Sequence, residues 1–445
     1  MGSIADIAKI PELRRRILFT LAMMAVYRIG VFITIPGVNR VEMSHVVTKG
    51  GSGSLLGMFN MFSGGALEQL SIFALGIMPY ITSSIVMQLL NVVVPKLDQL
   101  SKEGEAGRKK LNQYTRYGTV FLCAVQGWFL ASGLESYGAS SGLQAVVNPG
   151  YLFRVTAVIN LIGGSMFLLW LGEQITSRGI GNGVSLIIMA GIVAQFPTFI
   201  ANLFEGGRTG SISLFVIVAF VLMIVGLILF ICFMERAQRR LLVQYPKRAS
   251  ARGMMQADRS HLPLKLNTSG VIPPIFASSL LLLPLTISQF AGNSVSTDST
   301  FYGVIQSLNQ YLQHGQPLYL ALYAAGIIFF TFFYTAVVFN PEETAENLKK
   351  NGGFIPGIRP GKRTAEYLDY VLTRITVIGA IYLTLVCVLP EYMIAQTGIP
   401  LFLGGTSLLI VVNVTVDTIS QIQSHLLAHQ YGDLIKKAKL KGRLR

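Results

Sequence analysis

Residues 55–94 read LLGMFNMFSGGALEQLSIFALGIMPYITSSIVMQLLNVVV. The stretch is 40 residues long, mostly apolar, and contains no polar loop. A helix crosses the hydrocarbon core of a bilayer with about 20 apolar residues. There is enough here for two spans and nothing to connect them. The run is interrupted at Gly64-Gly65, at Glu68-Gln69 and at Pro79. The simplest solution is a half-helix over about 55–67 that does not cross, followed by a true span from about 72. Broken backbone at membrane depth is tolerated where it is buried in protein or lines a water-filled cavity, so the segment marks a cavity. The competing reading is an interfacial helix lying on the membrane surface, but the segment lacks the Lys/Arg belt such helices carry.

Counting the span at 72–94, there are ten apolar blocks. The others lie at about 17–36, 114–134, 151–171, 181–201, 212–234, 268–291, 318–339, 371–389 and 399–420. They are apolar on all sides rather than in alternation, which selects helices over barrel strands. Of the 445 residues 52% are hydrophobic and 13% charged, with mean hydropathy +0.55. Soluble domains carry roughly 25% charge, and a soluble helical protein would need polar faces that these blocks lack. The first block is followed by further spans and by no small-residue cleavage site, so it reads as a retained helix. Cys123, Cys232 and Cys387 lie inside apolar blocks with no His or second Cys at metal spacing. They read as packing thiols, with no disulfide and no metal site. The sequence RGIGNG at 178–183 follows a membrane span rather than a strand, so it is not a phosphate loop. With no nucleotide loop, no catalytic triad and no metal cluster, neither an enzyme nor a cofactor is expected.

Charge gives the orientation. Of the 36 Lys and Arg residues, 31 fall in one alternating set of connections: the N-terminal segment, 95–116, 172–180, 235–267, 340–374 and 421–445. The opposite set holds only Arg40, Lys49 and Arg208. Positive loops stay on the cytosolic side, so both termini are cytosolic, in agreement with an even number of spans. The net charge of +15 is first this orientation signal. The chain divides at 202–211 into halves 1–201 and 202–445 with five spans each. Five is odd, so any likeness between the halves would be an inverted repeat. No residue-level repeat is visible.

Few charges lie within the spans. Arg28 sits mid-span in the first, where it reads as a structural interhelical bond; Glu173 ends the fourth and Asp417 lies late in the tenth. A secondary transporter for a small solute, the alternative function, would bring polar or charged groups together at the midplane. Instead Ile77 and Ile81 are four residues apart and share a helix face, as do Val184 and Ile188. Periodicity alone reads both pairs as packing.

The motifs IFALGIMPYITSSIVMQLL (72–90) and WLGEQITSRGIGNGVS (170–185) resemble the two signature stretches of the SecY family. GEAGRKKLNQYTRYGT (104–119), FNPEETAENLKKNGGFIPGIRPGKRT (339–364) and FLGGTSLLIVV (402–412) resemble other parts of it, in order, across all ten spans. The likeness implies an all-α polytopic membrane protein. It would have ten transmembrane helices in two five-helix halves around an hourglass pore, and would conduct unfolded polypeptides across, and membrane segments into, the bacterial cytoplasmic (inner) membrane. It implies a pore ring at Ile77, Ile81, Val184, Ile188, Ile275 and Ile410. Val184 leaves that ring one methylene smaller than the commoner Ile, and Pro273-Pro274 precede Ile275. It implies a plug over 58–70, carried by Phe59, Asn60, Met61, Phe62, Ser63, Gly64 and Gly65. A lateral gate follows between the second and seventh spans, at Thr82, Ser83, Ser84 and Gln88 facing Asn267, Thr268, Ser269, Ser278 and Ser279. Interhelical bonds in membranes average roughly 0.6 kcal/mol, so three across the gate would hold about 2 kcal/mol. A signal peptide with some ten Leu-like residues gains up to about 5 kcal/mol in lipid. Each gate hydroxyl could equally bond its own helix backbone.

Loop 340–374 contains a capped helix. Asn340 fits the cap, Pro341 the first position and Glu343 the capping-box spacing; Lys349 and Lys350 meet the C-terminal dipole, and Gly352 or Gly353 closes it. Composition reads the basic residues here and in 235–267 as orientation charge. The resemblance implies docking of the ribosome or the motor ATPase SecA at Arg239, Arg240, Lys247, Arg248, Arg359, Lys362 and Arg363. The implied partners also include the small membrane subunits SecE and SecG, signal peptides and nascent chains, and the lipid bilayer.

Overall fold

The computed structural model describes residues 10–40, 42–43, 60, 63–141, 146–210, 213–245, 249–250, 253–254, 259–281, 316–397 and 404–442. Their helices are α1 (Pro11–Val31), α2 (Met78–Val93), α3 (Pro95–Lys102), α4 (Glu105–Ser141), α5 (Tyr151–Arg178), α6 (Gly183–Arg208), α7 (Leu214–Arg236), α8 (Ile272–Leu281), α9 (Pro317–Val338), α10 (Pro341–Lys350), α11 (Lys362–Thr397) and α12 (Gly405–Gly442). Ten of them coincide with the ten apolar blocks. Among the described residues seven are long and apolar enough to cross a membrane: α4, α5, α6, α7, α9, α11 and α12. The pair α2 and α3 makes an eighth, bent by 101° at Val94–Pro95. Pro95 opens α3 because its missing N–H and fixed φ suit the first helical turn. The remaining two fall short for local reasons. α1 opens on Arg14, Arg15 and Arg16 and carries Arg28, while only ten residues of α8 are described.

α7 shows why these helices suit lipid. Its buried residues, Phe220, Leu227 and Ile231, form one narrow stripe, while Leu222, Leu229 and Phe233 on other faces are exposed. A helix apolar all round and buried along one stripe belongs in hydrocarbon. α4 packs on α2 and α5, and α5 on α6; α11 packs on α9 and α12. The two sets meet where α6 touches α12. One apolar cluster runs through both, from Tyr27 and Phe73 to Leu409 and Ile410.

Between α1 and α2 the chain differs from expectation. Of the half-helix expected at 58–70, Asn60 is helical, while residues 63–70 form turns that run on to Ile77. Left-handed φ at Gly64 (68°), Gly65 (86°), Leu70 (41°) and Gly76 (56°) prevents a helix. The turns are fastened instead to the chain leaving α1. Ile35 N–H donates to Leu70 O and Ile72 N–H to Ile33 O, both at 3.0 Å. Pro79, read as a break, occupies the first turn of α2. The segment also rests on α5 at Gly164, where a Cβ would lie 1.9 Å from the Ile72 carbonyl oxygen. Gly164→Ala is therefore expected to cost about 1–3 kcal/mol by overpacking, read as a lower thermal midpoint of the detergent-purified protein. An unchanged midpoint would mean that this contact relaxes freely.

The basic loop 235–267 contains a hairpin that periodicity did not announce. β1 (Gln238–Gln244) pairs antiparallel with β4 (Arg259–Lys265), with Leu241 opposite Leu262; a short pair, β2 (Ala249–Ser250) and β3 (Gly253–Met254), lies between them in sequence. Leu241, Val243 and Leu264 turn inward.

Candidate functional site: an aliphatic waist, a tethered loop and a basic platform

A cavity of about 450 Å³ opens between α2, α4, α5, α6 and α8. Ile81, Val184, Ile188 and Ile275 line it, with Ile272 and Phe276. The four come from three helices. Asn182 caps α6, accepting from the N–H groups of Val184 (3.1 Å) and Ser185 (3.4 Å), and so places Val184 and Ile188 on the cavity face. The other wall is polar: Asn112, Thr115, Arg116, Glu173, Thr176 and Asn182. Arg116 and Glu173 form an ion pair at 2.5 Å across α4 and α5. Ile77 and Ile410 belong to the same apolar cluster but are not among the cavity's lining residues; Ile410 is only 1% exposed.

Of the nine gate residues, Ser84 and Gln88 line this cavity. Their hydrogen bonds depart from the expected cross-gate set. Thr82 donates to Met78 O and Gln88 to Ser84 Oγ, both within α2; Ser83 donates to Thr115 O of α4 at 2.8 Å. Ser278 donates to Ile275 O, Thr268 to Lys265 O and Ser269 to Asn267 Oδ1. Asn267 Nδ2 donates to Glu235 Oε1 of α7 at 2.6 Å and to Gly270 O. Among the described residues none of the nine bonds α2 to α8, and Ser279 Oγ is buried without a partner. Hydroxyls on a helix reach the carbonyl three or four residues back more readily than a second helix.

The loop before α2 is held by side chains. Tyr27 Oη donates to Ser63 O at 3.2 Å, Arg28 Nη1 to Gly64 O at 2.8 Å, and Gln195 Nε2 to Asn60 O at 3.0 Å. Arg28 thus bonds a loop carbonyl rather than another helix. Asn60 Oδ1 accepts from Glu68 N–H, closing the loop on itself. Phe59, Met61 and Phe62 lie outside the described residues. Tyr27 and Gln195 were missed in the sequence. The available signal for Gln195 was an amide in the middle of an apolar block, away from the capping position of Asn182. Glu173 and Asp417 both find cations, Arg116 and Lys265 (3.9 Å).

The two basic loops meet. Gln244 and Phe354 exchange backbone bonds at 2.9 and 3.0 Å. Beneath them Leu241, Leu264, Ala345, Ile355, Leu368 and Val371 share one core. α10 forms with the expected cap, Asn340 accepting from Glu342 and Glu343 N–H. Arg239 and Arg240 are exposed neighbours on β1, so they point to opposite faces. Arg359 is exposed, while its carbonyl accepts from Thr364 Oγ1 at 2.9 Å. Lys362 and Arg363 stand exposed in the first turn of α11. Cations there oppose the helix dipole, so they do not serve helix stability. Lys247 and Arg248 lie outside the described residues.

Residues 71–419 match the SecY family model. The chain is 51% identical over 431 residues to the protein translocase subunit SecY of Escherichia coli (strain K12), covering 97% of this chain and 96% of that one. Its fold is similar to a SecY protein whose plug domain is described as stabilising the closed state of the translocation channel and maintaining a membrane seal (TM-score 0.64, 17% identity, 95% and 97% coverage). It is also similar to Sec61 in the canine ribosome–channel complex from the endoplasmic reticulum (TM-score 0.61, 17% identity, 95% and 97%).

Proposed function

The chain belongs to the SecY family, and from that we propose that it is the channel subunit of a protein translocase. It passes unfolded secretory polypeptides across the cytoplasmic membrane and releases membrane-protein segments sideways into lipid. The observation that carries this reading is the cavity itself, which sets the aliphatic Ile81, Val184, Ile188 and Ile275 beside polar side chains of α4 and α5. Aliphatic side chains offer a passing chain no hydrogen bonds, so none of its residues is held. A narrow apolar constriction also excludes ions by dewetting when empty. A solute transporter would need polar groups at that point, and Ile81, Val184, Ile188 and Ile275 are there instead. Ile77 and Ile410 complete the ring on the family resemblance alone.

The segment 58–70 serves as the plug. The halves 1–201 and 202–445 clasp the pore between them, and α2 and α8 form the gate. With no hydrogen bond across it among the described residues, the gate is closed by contact between apolar side chains, and an entering signal peptide replaces those contacts in kind. The chain works as a channel subunit, not an enzyme, so the driving force comes from partners: SecA or the ribosome docks on the basic platform, while SecE and SecG pack in the membrane. Contacts between that platform and ribosomal phosphates would weaken steeply with salt. The purified complex, in vesicles with SecA and ATP, should carry a signal-bearing polypeptide into a protease-protected space. Absence of protection with active SecA present would sink the proposal.

The orientation is tested separately. Lys102 and Lys350 have side chains 75% and 66% exposed, while Cys123 and Cys387 are buried. Single cysteines at Lys102, Arg248 and Lys350 should react with impermeant thiol reagents only from the cytosolic side. Labelling of any of them from outside would reverse the topology.

A further inference from the structure

Arg28 lies within an apolar helix, where a guanidinium is costly and usually functional. Among the described residues it forms no ion pair. Its charge is met by the Gly64 carbonyl at 2.8 Å and by the Phe32 ring, 5.4 Å away. Tyr27 on the same helix and Gln195 on α6 aim two more donors at Ser63 O and Asn60 O. Two helices therefore grip three carbonyls of one short loop. The grip needs nothing from the loop's side chains. Under it the loop touches α6 backbone to backbone: a Cβ on Gly64 would lie 2.7 Å from Gly191 Cα, and Gly64 has φ +68°. Beside the Arg28 and Gln195 donors is a cavity of about 180 Å³, lined by these two with Asn60, Glu68, Gln69 and Thr198. These side chains can hold water, so the donors would not stay bare if the loop left.

We propose that Tyr27, Arg28 and Gln195 are positioning residues that latch the plug over the constriction, an inference that rests on the plug assignment given under Proposed function. The latch acts in the closed state only, because its acceptors travel with the plug. Removing it favours the open channel without touching the waist. A hydrogen bond to a charged group, lost from one state alone, shifts a two-state equilibrium by roughly ten- to a hundredfold.

The test measures ion conductance of the purified complex in lipid vesicles without substrate, alongside export of polypeptides with intact and with weakened signals. Arg28→Gln should raise idle conductance and accept weakened signals, with normal abundance in the membrane. Arg28→Lys, which keeps a charged donor, should restore most of the closure. Gly191→Val should reproduce the leak by crowding both the loop at Gly64 and the Tyr27 hydroxyl, with the Arg28 and Gln195 donors left in place. A variant lacking residues 60–68 separates the two claims. If it leaks and Arg28→Gln does not, the latch is wrong and the plug stands. If neither leaks, the plug assignment fails and the latch with it. Should Arg28→Gln deplete the protein, Gln195→Ala decides: a leak supports the latch and a tight channel overturns it.

Discussion

The Ile188→Ser, Ile275→Ser double variant is expected to accumulate normally in the membrane and to leak small ions. Both residues line the cavity, from α6 and α8. If they were ordinary core, each change would cost about 2–5 kcal/mol, as large-to-small substitutions do. Each would also bury a hydroxyl that needs a partner. Two such losses approach the whole stability of a typical domain, roughly 5–15 kcal/mol, and the protein should vanish from the membrane. At a waist opening on a cavity, water meets the new hydroxyls and little packing is lost. The constriction then wets, and a wetted constriction conducts. Membrane abundance and vesicle conductance separate the cases. Normal abundance with no added conductance, or loss of the protein, would each remove these residues from the pore.

Arg359→Glu should abolish SecA-driven export while the protein inserts and folds as before. Its side chain is exposed, so charge reversal should change stability by no more than about 0.5 kcal/mol. The main chain beneath it is fixed. Gly357 and Gly361 take left-handed φ of 84° and 110°, Thr364 holds the Arg359 carbonyl, and Ile355 anchors the turn in the core shared with the β1–β4 hairpin. A cation presented on so rigid a mount suits an acidic partner surface. Export at the normal rate by the variant would reduce Arg359 to an orientation charge.

The membrane part of this fold was legible because its rules are local. A block of twenty apolar residues reads as a helix wherever it lies, and the cap at Asn340 needs only its next three residues. The turns at 63–77 were half legible. Gly64-Gly65 announced a break, but the left-handed φ at Leu70 is imposed by pairing with residues 33–35, which no local pattern encodes. The hydroxyls expected at the gate left two readings open, and the structure takes the local one. Thr82 and Ser278 bond carbonyls of their own helices, so polar composition on two facing helices carried no information about bonds between them. The waist could not be derived from spacing at all. Ile81 and Ile188 look like packing residues because, but for the cavity they share, they are packed.

α11 runs unbroken from Lys362, in the basic platform, to its internal proline at Pro390. At 1.5 Å per residue that is a helix of about 40 Å. Its base is bolted into the platform through Leu368 and Val371, and the helix packs on α9 and α12. A rod held at its foot magnifies rotation. If a docked motor tilts the platform by about 5°, the far end of a 40 Å rod swings by roughly 4 Å, close to the width of a methyl group. A partner sitting outside the membrane thus has a lever arm reaching through it, and the platform's rigidity sets how little of each stroke is wasted in bending.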